Sequence, residues 1–173
     1  MTESVFLDHF DAVVGGDGVL VRMSENVATT FGFHFDELIR LLDTGEPPDI
    51  RIGLFRRRPK LDDVLRKLFP DVYRDRADSD DFRSRHAALL RDCAAIRRVR
   101  ARFGESTLLV VPHPEVVEWV QVTALLRNFH LVRCGQQCAT VIWCKHVLEQ
   151  LVLAVEPHLD CGCGGTGHHP QYG

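Results

Sequence analysis

Apolar residues recur in steps of three and four along most of this chain, the spacing that gathers them on one face of a helix. Val27, Phe31, Phe35, Leu38 and Leu42 form the first such stripe. Ser24 stands before it as an N-cap, and Thr44-Gly45 closes it. A second helix spans 60–69, with Pro59 at its start, Pro70 as its stop, and Leu61, Val64, Leu65 and Leu68 inward. Asp78 or Ser79 would cap a third, long helix over roughly 80–103. Its inward stripe is Phe82, His86, Leu89, Leu90, Cys93, Ile96 and Phe103, and Gly104 ends it. Pro112 and Pro114 introduce a helix from about 115 to 137, with Val116, Val120, Thr123, Leu126 and His130 on one face. The last helix covers about 141–155 and ends before Pro157.

Two places follow a different period. Gly15-Gly16-Asp17-Gly18 separates Val5–Val14 from Val19-Leu20-Val21, the signature of a short hairpin whose turn uses glycine for positive φ. A phosphate-binding loop is excluded, because the Lys-Ser/Thr pair and the helix start are missing. Thr107–Val111 reads as a short strand or a buried extended lead-in. Residues 43–59, with Pro47-Pro48, Gly53 and Pro59, read as an irregular stretch. The expected fold is therefore mainly α, a single-domain bundle of four to five helices with a short N-terminal β-hairpin. It occupies residues 1–156, and 157–173 is expected to be a flexible tail rich in Cys, His and Gly.

Composition changes this picture little. At 173 residues, 45% hydrophobic and 26% charged, the chain suits one soluble domain with a real core. The longest apolar run, Leu148–Val155, contains Glu149 and Gln150 and is too short for a membrane span. With no secretory signal visible, a cytoplasmic location is expected, and the six cysteines are expected as thiols or metal ligands rather than disulfides.

Charge changes it more. Residues 51–102 hold 16 of the 21 Lys and Arg against 8 acidic residues, a net of about +8, and the remainder carries about −11. Such a chain can bind its own two halves together or offer a basic face to a partner, and internal pairing is the simpler reading. Nucleic acid is the less favoured partner. Asp78, Asp80, Asp81 and Asp92 interrupt the arginine run, and no tight helix-turn-helix pair is visible.

The chemistry-bearing residues lie toward the C-terminus. His130, Cys134 and Cys138 are spaced by four and would share one face of a continuous helix. Cys144 and His146 follow, and the tail adds His158, Cys161, Cys163, His168 and His169. The candidate metal ligands are His130, Cys134, Cys138, Cys161, Cys163 and His168, a mixture of thiolate and imidazole suited to zinc or copper. No other cofactor is expected. The competing reading makes Cys134, Cys138 and Cys144 small core residues. A Cys134–His130 dyad or a redox pair of Cys161 and Cys163 has weaker support. No compact set of base, nucleophile and stabiliser emerges, so an enzyme is the least favoured class.

Leu65–Asp75, LRKLFPDVYRD, is the most specific stretch. Pro70 would end one helix, Asp71 bond backbone amides, and Tyr73 pack at the corner. Tyr73, Arg74, Arg97 and Arg98 are the expected interaction surface. The element is similar to the "LxxLFPDAYRDD" of an actinobacterial family of small helical proteins of unknown function. Asp81-Phe82-Arg83 falls at its "EFRR" position, and Trp119 with Leu125–Gly135 and Trp143–Val152 resemble its two closing helices. The resemblance covers roughly residues 5–156. Genes of that family often lie beside that of the ClpS adaptor or near a sulfur-carrier pathway of cysteine synthesis. The resemblance thus implies a non-catalytic accessory or regulatory protein acting through protein contacts, linked to proteolysis or sulfur metabolism. A metal-binding or sulfur-handling protein is the alternative, and a DNA-binding regulator the third.

Overall fold

Ser24 starts the first helix as its sequence requires: the hydroxyl oxygen accepts the Val27 amide at 3.3 Å. Helix α1 (Glu25–Thr44) then ends at Gly45, whose φ of 72° is the left-handed C-cap and whose amide reaches the Leu41 carbonyl. The expected stripe from Val27 to Leu42 is buried throughout. This computed structural model describes residues 8–46, 50–52, 55–57, 60–104 and 106–159, and for 50–52, 55–57 and 159 the backbone alone. The proposed ligands Cys161, Cys163 and His168, like the rest of the tail after residue 159, lie outside the described residues.

The remaining helices are α2 (Leu61–Leu68), α3 (Arg76–Arg85), α4 (Ala87–Leu90), α5 (Ala94–Phe103), α6 (His113–Cys134) and α7 (Ala139–Val155), with a 3-10 turn at Pro157–Leu159. The strands are β1 (Phe10–Val14), β2 (Gly18–Met23), β3 (Ile50–Ile52), β4 (Phe55–Arg57) and β5 (Leu108–Pro112). No described helix is long and apolar enough to cross a membrane.

Three local expectations change. The stretch expected to be irregular contains the β3–β4 hairpin, where Ile50, Ile52 and Phe55 alternate with arginines at the two-residue period of a strand. The single helix expected over 80–103 is three helices. Asp75, rather than Asp78 or Ser79, caps α3 by accepting the amides of Ala77 and Asp78 at 2.7 and 3.3 Å. Asp92 restarts α5 by accepting the Ala94 amide at 2.9 Å. Between them, Arg91 leaves the helical path to donate to the Leu42 and Asp43 carbonyls, at the negative end of α1. The break swings α4 outward. Leu89, expected inward, is 71% exposed, and His86 is exposed too.

The N-terminal hairpin is part of a larger sheet. β5 adds to the open edge of β2, giving an antiparallel order β1-β2-β5. Its turn also differs from expectation: only Gly45 and Gly135 take positive φ among the described residues. What Gly18 supplies is space, since a Cβ there would sit 2.3 Å from the Val111 carbonyl oxygen across the pair.

Phe103 of α5 ties the core together. Its ring lies 5.7 and 5.3 Å from those of Phe31 and Phe35 on α1, and 5.1 Å from Trp119 on α6. α6 runs through the middle, against α1, α2, α5, α7 and the sheet. Val116, Trp119, Val122, Thr123, Leu126, Phe129 and His130 are all buried along it.

The Leu65–Asp75 element is a corner, as expected, but Asp71 holds a side chain and not backbone amides. Its carboxylate accepts from Arg83 at 2.7 Å, and the same guanidinium reaches Asp80 and the Phe69 carbonyl. Inside the corner, the fully buried Ser79 hydroxyl accepts the Tyr73 amide at 3.0 Å and donates to the Tyr73 carbonyl at 3.1 Å.

Two substitutions test these points by chemical denaturation. Gly18→Ala should cost about 1–3 kcal/mol through overpacking, and Gly16→Ala, which meets nothing within 4 Å, should be near neutral. Ser79→Ala should cost about 1–3 kcal/mol by stranding both Tyr73 backbone groups. Equal effects of the two glycine changes, or a silent Ser79→Ala, would contradict these assignments.

Candidate functional site

The C-terminal end of α6 carries His130 and Cys134 on one face, one turn apart. The helix does not continue to Cys138 as the spacing suggested. Gly135, at φ 79°, ends it, and the chain turns so that Cys138 becomes the N-cap residue of α7. The reversal still brings the two sulfurs together: Cys134 and Cys138 form a disulfide with their Cα atoms 5.7 Å apart. That pairing replaces the expectation of two free thiols. A four-residue separation closed by a glycine turn places both sulfurs within bonding reach.

His130 lies beneath this pair, 2% exposed, with its Nε2 buried and without a hydrogen-bond partner. Its ring packs edge-on against that of His34 on α1 at 4.3 Å. His34 is held from both sides. Its Nδ1 is 3.3 Å from Glu37 Oε2, and its Nε2 is 3.4 Å from the Thr140 hydroxyl at the start of α7. Arg133 in turn donates to Glu37 at 2.5 Å. Ligand atoms of His130, Cys134 and Cys138 lie within 4.8 Å of one another, as do those of His34, Glu37 and His130. The two groups share His130.

Burial sets the protonation of both rings. Loss of water pushes His130 down to about 3, helped by neighbouring His34 and the Arg133 charge. Burial also lowers His34, with the Glu37 hydrogen bond opposing it. Both imidazoles are therefore neutral near pH 7, the form in which nitrogen can bind a metal. A His/Cys/Cys group capable of holding an ion is present, and its sulfurs are at disulfide distance.

The other described cysteines, Cys93 and Cys144, serve packing. Cys144 is fully buried on α7, its thiol pushed up to about 12 by burial. Cys93 is buried on α5 and pushed up to about 11, by burial first and then by Asp43. Neither is poised as a nucleophile. His146 takes a structural post, with its Nε2 3.0 Å from the Phe10 carbonyl where α7 meets β1.

The expected interaction residues do not form one free surface. Tyr73 is 48% exposed and packs edge-on against Phe82, and Arg74 beside it is exposed. Arg97 pairs with Asp43, and Arg98 with Glu118 at 2.5 Å. Arg100 joins Asp36 through two 3.0 Å bonds. Each of these acids lies outside the basic block, so this part of the arginine run ties α5 to α1 and α6. Two surface clefts, of about 390 Å³ between α1 and α5 and about 210 Å³ between α1 and α7, contain no Cys, His or Lys among their described lining residues.

Sequence reasoning missed His34, Glu37, Arg133 and Thr140. The signal for His34 was faint but real. It stands three residues after Phe31 and four before Leu38, inside the apolar stripe of α1. Nothing in the sequence linked it to His130.

Residues 8–155 match the family described as a domain of unknown function, DUF2017, and the chain belongs to that family. No curated protein and no solved structure matches it.

The burial of His130 has a pH signature in chelator-treated protein. The unfolded chain protonates this ring near the ordinary value of 6.5, while the folded chain keeps it neutral down to about 3. Between those limits the unfolded state binds more protons, so the contribution is full above pH 6.5 and is lost as pH falls. The slope is at most about 1.4 kcal/mol per pH unit. Urea melts at pH 7 and 4.5 should show wild type losing roughly 2 kcal/mol more than His130→Leu. Equal losses would mean that His130 is not held neutral.

Proposed function

We propose that this DUF2017 chain is a non-catalytic accessory protein that works by docking a protein partner on the outer face of its three-stranded sheet. The observation that carries the reading is an apolar row across all three strands. Val13 pairs with Leu20, and Leu20 with Val110. All three are exposed, as is Leu108, which pairs with Arg22 on the same face. The opposite face, with Phe10, Val19, Val21, Leu109 and Val111, is buried in the core. A sheet packed on one side normally presents polar residues on the other. A continuous apolar row there is the kind of patch that marks an interface. Asp11 and Arg22, paired across β1 and β2, supply a charged margin beside it.

The arginine pairs support the same choice, since Arg97, Arg98 and Arg100 hold α5 against its neighbours. They weigh against a DNA-binding role. A setting in proteolysis or sulfur metabolism belongs to this proposal and rests on the family resemblance; the cytoplasmic location belongs to it too and rests on the lack of a visible secretory signal.

A second reading, binding of a transition metal such as zinc or copper, is favoured by one observation: the buried His130 Nε2 without a partner, beside two cysteines.

A photo-crosslinking residue at position 20, used in the native host, should trap a distinct protein. Leu20→Lys and Val110→Lys should each abolish that capture while leaving the melting temperature within a few degrees, because both side chains already face solvent. Removal of residues 157–173 should not affect it. Capture that survives both lysine changes would overturn the sheet-face assignment.

A further inference from the structure

We propose that His34, His130, Cys134 and Cys138 form a single four-ligand site for zinc in the dithiol form of the protein, and that the Cys134–Cys138 disulfide closes it. This rests on the metal-binding reading above and goes beyond it, by naming the complete ligand set, the ion and the control. None of the four ligands comes from the tail.

The donor chemistry comes first. Two thiolates and two imidazoles are a tetrahedral zinc set, and two thiolates offset the charge of the ion. With zinc–sulfur and zinc–nitrogen bonds of the usual length, ligand atoms lie about 3.3–3.8 Å apart. Ligand atoms of His130, Cys134 and Cys138 already lie within 4.8 Å of one another, and His34, whose ligand atom is within that distance of His130, has to turn toward the sulfurs to complete the set. His34 reaches the site through its ring contact with His130 at 4.3 Å.

The supporting groups fit as well. A zinc-bound histidine commonly gives its second ring nitrogen to a carboxylate, which orients the ring. Glu37 stands 3.3 Å from His34 Nδ1, and Arg133 fixes that carboxylate; Nε2, now 3.4 Å from the Thr140 hydroxyl, would exchange that contact for the ion. The pairing also partly neutralises the Arg133 charge, which lies close enough to both rings to oppose a cation there. His130 carries a buried nitrogen with no partner, a costly state that a metal bond would relieve. Cys134 is exposed and Cys138 half-buried, so the pair lies near the surface.

The disulfide removes both thiolates at once. The oxidant is a low-molecular-weight disulfide. Each zinc-bound cysteine sulfur loses one electron as the new S–S bond forms between Cys134 and Cys138. The small disulfide accepts the two electrons, and two protons from solvent because the bound thiolates carry none; its S–S bond breaks and two small thiols leave. Zinc is released as the divalent ion. A thiol reductant reverses each step.

The test uses the full chain, stripped with a chelator and titrated with Zn²⁺ against a chromophoric competitor, and with Co²⁺ for its spectrum. Reduced wild type should bind one equivalent, and Co²⁺ should give the absorption of a tetrahedral thiolate site. Oxidation with glutathione disulfide should abolish binding, and reductant should restore it. His34→Ala, and His34→Gln as a check against misfolding, should each weaken binding at least tenfold with helical content unchanged. Cys161→Ser/Cys163→Ser should bind as wild type. Under ~0.2 equivalents on the reduced wild type would end the metal reading and this inference with it. One equivalent that persists after oxidation, in both His34 variants, or only while Cys161 and Cys163 are intact would leave metal binding standing and overturn the site and its control.

Discussion

Helix α6 runs through the centre of the molecule, touching α1, α2, α5, α7 and the sheet, so every polar group on its inner faces must find a partner within the fold. Water is out of reach there, and a stranded donor or acceptor costs about 1–3 kcal/mol. Most of the helix meets this constraint by being apolar, with Trp119, Leu126 and Phe129 filling the space between its neighbours. Phe103 reinforces it by joining the rings of α1 to Trp119. Thr123 and His130 meet it only in part, and at His130 the unpartnered nitrogen stands beside two cysteines, which is what makes it a candidate ligand.

The same central packing determines what the charges do. A strongly basic block in an acidic chain suggests attraction to something outside. Much of α5 is instead bound to the chain itself: Arg97 to Asp43, Arg98 to Glu118, and Arg100 to Asp36. Exposed pairs of this kind contribute little stability each. Their effect is to give the three helices one mutual arrangement. With these cations engaged, the least expected surface is the outer side of the sheet, where Val13, Leu20 and Val110 face solvent in register.

Much of the fold was legible in the sequence because its signals are local. Ser24 and Gly45 delimit α1 within a residue or two of expectation, its expected stripe is buried throughout, and those of α2 and α6 are buried or half-buried. Legibility failed where a distant group outcompeted the local pattern. The long helix over 80–103 has a coherent apolar period, but Arg91 is drawn to the end of α1 and Asp92 caps a new start. The candidate site was half legible. The spacing of His130, Cys134 and Cys138 picked out residues that do meet in space, but through a turn and not along one helix face, because Gly135 ends the helix between them.

By itself the sequence determined where the first hairpin and the helices outside 76–103 form, since periodicity, caps and turns act over three to five residues. It also marked the cysteines and histidines as the chain's distinctive chemistry. Tertiary structure alone decided that β5 completes the sheet, that the arginines of α5 answer acids on α1 and α6, and that His34 meets His130. Those contacts join residues from 20 to about 100 positions apart. No local pattern carries such information: it exists only once α1 and α7 have packed against α6 and excluded water from between them.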